Sequence, residues 1–257
     1  MQSKHAENAM RAARTAAVAM GAILLAGFAA TDIRRDMVAL DKVYIAALAL
    51  TSQGKAAESR KAVDTLQKTW REFRGRHYAA NPKDPQWKPD FDRVSGMVDE
   101  ASKIVAGGRP VTEAHEALEH VREVLMALRG RNRIDYFIDR LTAFHEPMEA
   151  IVLAAKDKTG DTLTGADVAR IRATLPEAEK AWQRVAAAKL DAGDYRLDAA
   201  QAQDARKLME LEKASLAALK EALASGDKGR IARAATAIKP NFAKLFMTFG
   251  DFKPYRS

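Results

Sequence analysis

The stretch NRIDYFIDRLTAFHEPMEAIVLAAKDKTG, residues 132–160, decides the fold class. Ile134, Phe137, Ile138, Leu141, Met148 and Val152 recur at spacings of three and four, which places them on one face of a helix. Gly160 ends the run. The same pattern repeats in both directions. Upstream it predicts helices over 33–53, closed by Gly54, then 56–78, 90–106 and 110–129. Downstream it predicts helices over 164–190, 197–225 and 228–249. Asn81-Pro82-Lys83-Asp84-Pro85, Gly107-Gly108, Asp191-Ala192-Gly193-Asp194 and Gly226 separate them. Pro110 suits a first helical turn and Thr164 an N-cap. Short breaks between long helices favour antiparallel neighbours. The expectation is an all-α protein of two tandem up-down-up-down four-helix bundles, residues 31–130 and 131–257, after an N-terminal signal segment, residues 1–30. Gly130 is the one weak point between the units, so the flanking helices are expected to run on almost continuously.

The signal reading rests on Lys4, Arg11 and Arg14 ahead of AAVAMGAILLAGFAA, residues 16–30, with small residues flanking Phe28. That is the order of a secretory signal, with cleavage expected near Ala29 or Ala30. The apolar run is short for a membrane span, which needs roughly 20 residues. The expected location is periplasmic or secreted, with membrane contact only if the segment is uncleaved. Apolar residues make up 47% of the chain, and Gly and Pro number only 14 and 8, which argues against disorder over most of its length. There is no cysteine, which excludes disulfides, thiolate metal sites and covalently attached haem. The net charge of +8 is spread over helical faces with both signs interleaved, so a nucleic-acid partner is not expected.

An internal repeat supports two units. Leu66-Gln67-Lys68-Thr69-Trp70 parallels Ala178-Glu179-Lys180-Ala181-Trp182. Ile104-Val105-Ala106-Gly107-Gly108 parallels Ala222-Leu223-Ala224-Ser225-Gly226, and Gly54 parallels Gly160.

With an export signal, four antiparallel helices per unit and the join Ala106-Gly107-Gly108-Arg109-Pro110-Val111-Thr112-Glu113-Ala114, the chain resembles the small periplasmic four-helix cytochromes, cytochrome c-prime and its b-haem relatives. The resemblance is one of fold and covers each unit in turn. It implies haem held by a histidine near the end of the fourth helix. Arg129 stands at that level in the first unit and Phe246 or Met247 in the second, so the ligand is not matched.

Four of the five histidines, those outside the signal segment, are candidates for chemistry. His115 and His120 lie about 140° apart around their helix and cannot share one ion within it. His115 with Glu119, and Glu116 with His120, read as surface pairs. His77 reads as a cap on the last carbonyls of its helix. His145 falls inside the apolar stripe of residues 132–160. Glu149 lies one turn away, and Glu179 and Glu212 are expected at the same level on neighbouring helices, with Asn241 on the fourth. A histidine and carboxylates converging inside a four-helix bundle is how that architecture builds metal sites. His145, Glu149, Glu179 and Glu212 are therefore the candidate ligands of a transition metal ion. The competing reading is a hydrogen-bonded core histidine with outward-reaching glutamates. The first unit has Leu40 and Gln67 at the matching positions.

No nucleophile–base pair, phosphate loop or zinc-protease motif is recognisable. The expected function is an exported, non-enzymatic binding protein, with a metal ion in the second bundle as one form of it. A scaffold contacting another exported protein, without cofactor, is the alternative, and a haem-binding electron carrier a further one.

Overall fold

A computed structural model describes residues 33–255, and the segment read as an export signal lies outside the described residues. Among the described residues the chain is all-helical, with no strand. Helix α1 covers 33–52. It is followed by α2 (Ala56–His77), α3 (Trp87–Ala106), α4 (Val111–Glu119), α5 (Val121–Arg131), α6 (Phe137–Ala155), α7 (Gly165–Ala187), α8 (Ala199–Ser225) and α9 (Lys228–Met247). A short 3-10 turn, Lys253–Tyr255, closes the described chain. No helix among the described residues is long and apolar enough to cross a membrane.

Local chemistry sets most of the boundaries. Thr164 with Asp167 and Asp198 with Gln201 form reciprocal capping boxes at the starts of α7 and α8, satisfying backbone N–H groups that have no intrahelical partner. Asp227 accepts from the Arg230 N–H to start α9. Gly108 and Gly226 follow α3 and α8 in the left-handed conformation, both at φ 72°, which a Cβ would disfavour.

Two boundaries differ from the sequence expectation. The helix expected over 110–129 is broken at His120 into α4 and α5. The Tyr44 hydroxyl of α1 donates to the Leu118 carbonyl at 2.9 Å and has the Arg122 backbone N–H on its other side. Those two groups would bond each other in an unbroken helix, so the tyrosine is inserted into the ladder. The second difference lies past Gly130. The helices do not run on. Arg133 adopts φ 55°, and the Ile134 N–H returns to the Arg129 carbonyl at 3.0 Å, which ends α5 before α6 starts at Phe137.

α2 packs on α3, and α3 on α4 and α5. α6 packs on α7 and α9, and α8 on the same two, while α5 meets α6. α1 is buried on most sides because Tyr44 to Leu50 is apolar all round. It touches both halves of the chain. Asp36 pairs with His77 of α2 at 2.8 Å. The Lys42 carbonyl accepts from the Asp251 N–H at 2.9 Å. Gly250 sits against α1 so closely that a Cβ there would lie 3.0 Å from Ile45 and 2.9 Å from Phe252. The buried apolar side chains consequently form one cluster from Ile33 to Tyr255. His77 is not the carbonyl cap that its position suggested. Its own carbonyl is capped by the Trp87 indole N–H at 2.8 Å, and its ring pairs with Asp36.

A buried ionic cluster ties α1 to the α5–α6 corner. Arg129, 2% exposed, holds Asp139 through Nε at 2.9 Å and Nη2 at 2.5 Å, and its guanidinium lies 4.3 Å from the centre of the Tyr136 ring. The Tyr136 hydroxyl donates to buried Asp41 at 2.7 Å. Burial pushes the Asp41 carboxyl up to about 6, against the pull of Arg129.

Candidate functional site

A groove of about 930 Å³ runs between α1, the α4–α5 break, α6 and α9. Three of its four walls are irregular helices. α4 and α5 part at His120, α6 contains Pro147 and α9 contains Pro240. Each proline removes one ladder hydrogen bond and crowds the preceding turn. α6 and α9 pack on each other, and the groove lies where they face α1 and the α4–α5 break.

The floor is apolar. α1 contributes Ile45 and Leu48, α6 Met148, and α9 Phe242 and Phe246. Leu153, 55% exposed, extends this surface to the mouth.

One side of the groove carries a chain of polar groups from four helices. The His115 Nδ1 faces the Leu48 carbonyl at 3.0 Å and its Nε2 faces Glu119 at 3.1 Å. Glu119 pairs with Arg122. The Arg122 Nη2 lies 2.7 Å from His145 Nδ1 and 3.1 Å from Nε2. Beyond His145, Glu149 pairs with Lys239 of α9 at 2.9 Å.

The two histidines are tuned in opposite directions. Burial lowers the His115 pKa, but Glu119 and the Leu48 carbonyl outweigh it, because both ring nitrogens face acceptors and the imidazolium satisfies both. His145 is held down to about 4 by burial and then by the Arg122 charge, so it is a neutral acceptor at neutral pH. Burial alone would raise Glu119. The His115 hydrogen bond and the charges of Arg122 and His145 outweigh it and hold the carboxyl at about 2.

The structure does not gather the four residues proposed as metal ligands. His145 lines the groove, and Glu149 Oε2 lies 4.0 Å from its Nε2 but is taken by Lys239. Glu179 is paired with Lys220 of α8 at 3.1 Å. Glu212 is wholly buried and paired with no side chain among the described residues; the Phe242 backbone N–H faces its carboxyl. Among the described residues no group of three or more histidines and carboxylates is placed to hold a metal ion. Helical angles put these glutamates near their stripes, but lysines of the facing helices reach two of them first.

The residues that do meet His145 are Glu119, expected in a surface pair with His115, and Arg122, for which the sequence carried no expectation. His115 and Glu119 pair as expected, but inside the groove wall. His120 pairs with Glu123 at 2.9 Å, not with Glu116. The signal for Arg122 was present, since it is an arginine beside the apolar stripe of its own helix. Its partner across the groove is not encoded locally.

No protein-family model matches this chain, and no characterised protein or solved structure matches it significantly.

Proposed function

We propose that this is an exported, non-enzymatic binding protein that holds a small amphipathic molecule in the groove between α1, α4–α5, α6 and α9. One observation carries the reading: an apolar floor beside a fixed, buried polar chain, in a space at the upper end of the roughly 300–1,000 Å³ typical of small-molecule sites. The polar chain suits binding better than catalysis. His145 accepts from Arg122 and is a weak base, and Ser52 at the rim spends its hydroxyl on the Ala49 carbonyl. Export rests on the residues 1–30 pattern, and the periplasmic or secreted location follows from it.

The finer architecture is part of the same reading. We take the chain as two tandem four-helix bundles of common origin, α1 to α5 and α6 to α9. Trp70 and Trp182 are both buried, at 2% and 3% exposure. Gly108 and Gly226 share a left-handed conformation. The last helix of each set is interrupted, by the His120 break and by Pro240.

The test uses protein purified from its native cell and from an Ala243→Trp variant, in which an indole fills the groove from α9. Mass spectrometry of the extracted protein should find a small molecule in the first and not in the second, with the same helical circular dichroism spectrum for both. A wild type that carries nothing, and whose groove resonances no amphiphile shifts, ends this reading and leaves the scaffold.

A further inference from the structure

The charge around the groove selects among amphipathic molecules. The chain as a whole is basic, at +8. The groove is not. Five glutamates line it against Arg122, Lys239 and His115, whose imidazolium Glu119 and the Leu48 carbonyl favour. Arg122 is matched by Glu119 and Lys239 by Glu149. Glu123 faces His120, which balances it only when protonated. Glu116 and Glu146 are exposed at the rim and have no ion-pair partner among the described residues. Carboxylates lining a cleft with apolar walls concentrate cations there, because field lines are focused by the low-dielectric floor.

A second, independent feature points to an occupant. Arg122 is 5% exposed, lines the groove, and is held in place by Glu119 and His145. A guanidinium fixed in the groove wall offers its remaining groove-facing donors to an oxygen on a bound molecule. Exposed Leu153 continues the apolar floor outward in line with an elongated body.

We infer that the groove takes a cationic amphiphile: an elongated apolar chain, an oxygen-bearing link at Arg122 and a positively charged amine head between Glu116 and Glu146. This rests on the binding reading above and narrows it. The carboxylates attract the head, the floor takes the chain, and the basic surface elsewhere repels the same molecule, which restricts it to this groove.

Titration calorimetry with three probes sharing one ten-carbon acyl chain tests it: decanoylcholine, decanoate and monodecanoylglycerol, each below its micellar concentration. Decanoylcholine should bind at least tenfold more tightly than decanoate at low salt, with the gap narrowing as salt screens the rim. Glu116→Gln with Glu146→Gln should weaken decanoylcholine about tenfold and leave monodecanoylglycerol unchanged; both positions are exposed, so folding is spared. Decanoate binding as well as or better than decanoylcholine overturns the inference, as does equal affinity for all three, while leaving a small-molecule groove. Failure of all three probes removes the groove as a site together with the inference.

Discussion

Arg129 and Arg122 are both almost fully buried, both sit on α5, and each faces carboxylates, yet their surroundings differ in kind. Arg129 has two hydrogen bonds to one carboxylate, a tyrosine ring beneath it and a second buried carboxylate behind that ring. The Arg129 charge is held on by Asp139 and Asp41 against burial. Arg122 shares itself between Glu119 and a neutral histidine and opens on a groove. One cluster is complete without any other molecule, and the other is not. The first fastens α1 to the α5–α6 corner. The second has capacity left over.

The largest expected difference between them is in stability. Arg129→Met leaves Asp139 and Asp41 buried without their cation, and breaking such a pair costs roughly 3–5 kcal/mol. Arg122→Met leaves Glu119, one-fifth exposed and still bonded to His115, so the loss should be smaller, on the order of 1–2 kcal/mol. Urea unfolding of both variants measures this. Equal losses would mean that the two arginines are structural alike.

Glu212 supplies the next effect, of comparable size but dependent on pH. Burial pushes its carboxyl up to about 8 from 4.5. The folded protein thus holds a proton that the unfolded chain releases between pH 4.5 and 8, and stability falls as pH rises through that window. At about 1.4 kcal/mol per pH unit the loss from pH 4.5 to 7 is roughly 3 kcal/mol. Glu212→Gln should abolish that fall, so the variant gains on the wild type as pH rises. Parallel stability–pH curves for the two proteins would show that Glu212 is ionised or solvated in the fold.

Tyr44→Phe tests how the open cluster is built. Losing the hydroxyl leaves the Leu118 carbonyl and the Arg122 N–H without their bridge, at a cost of about 1–3 kcal/mol. It also frees the two groups to bond each other and straighten α4 into α5, which would re-aim Arg122 and Glu119. The expected result is a modest loss of stability with large amide shifts from Glu119 to Val124 in an NMR spectrum. Shifts confined to the contacts of the Tyr44 ring would mean that the break has another origin.

These residues also show what the sequence made legible. Apolar periodicity and glycine placement located the helices to within a few residues, because those signals are local. The break at His120 was invisible, since its cause is a tyrosine more than seventy residues away. His145 stands out in the sequence as a polar residue on an apolar stripe, and in the structure it lines the groove. Its partners were misassigned because angles around a helix say which face a residue takes, and not which lysine or arginine arrives from the next helix. Glu149 and Glu179 are neutralised by Lys239 and Lys220, whose long side chains reach across helix interfaces. Of the four, Glu212 alone is deeply buried, and it has no ion-pair partner among the described residues.

The smallest expected effect separates the clusters by charge alone. His145 is packed against groups from four helices: Glu119 on α4, Arg122 on α5, Glu149 on its own helix and Lys239 on α9, with His115 beyond Glu119. Burial is the first cause of its low pKa and the Arg122 charge the second. Because its folded pKa, about 4, lies below the ordinary histidine value of 6.5, the unfolded chain takes up the proton first as pH falls. His145 therefore contributes stability that is present above pH 6.5 and lost between 6.5 and 4. Arg122→Gln keeps a donor beside the ring and removes the charge, while Glu119 and Glu149 remain as anions. The His145 pKa should then rise from about 4 toward 6.5 without reaching it, since the ring is still buried. The variant's stability should accordingly fall less steeply over that pH range. Imidazole NMR across pH 3–8 reads the first effect and urea midpoints read the second. Arg129→Gln, if it folds, should leave His145 at about 4, because Arg129 lies seven residues further along α5 and is paired with Asp139. A His145 that stays near 4 in the Arg122 variant, or moves equally in both, would show that burial alone sets its state and that the groove's polar chain is not electrostatically coupled.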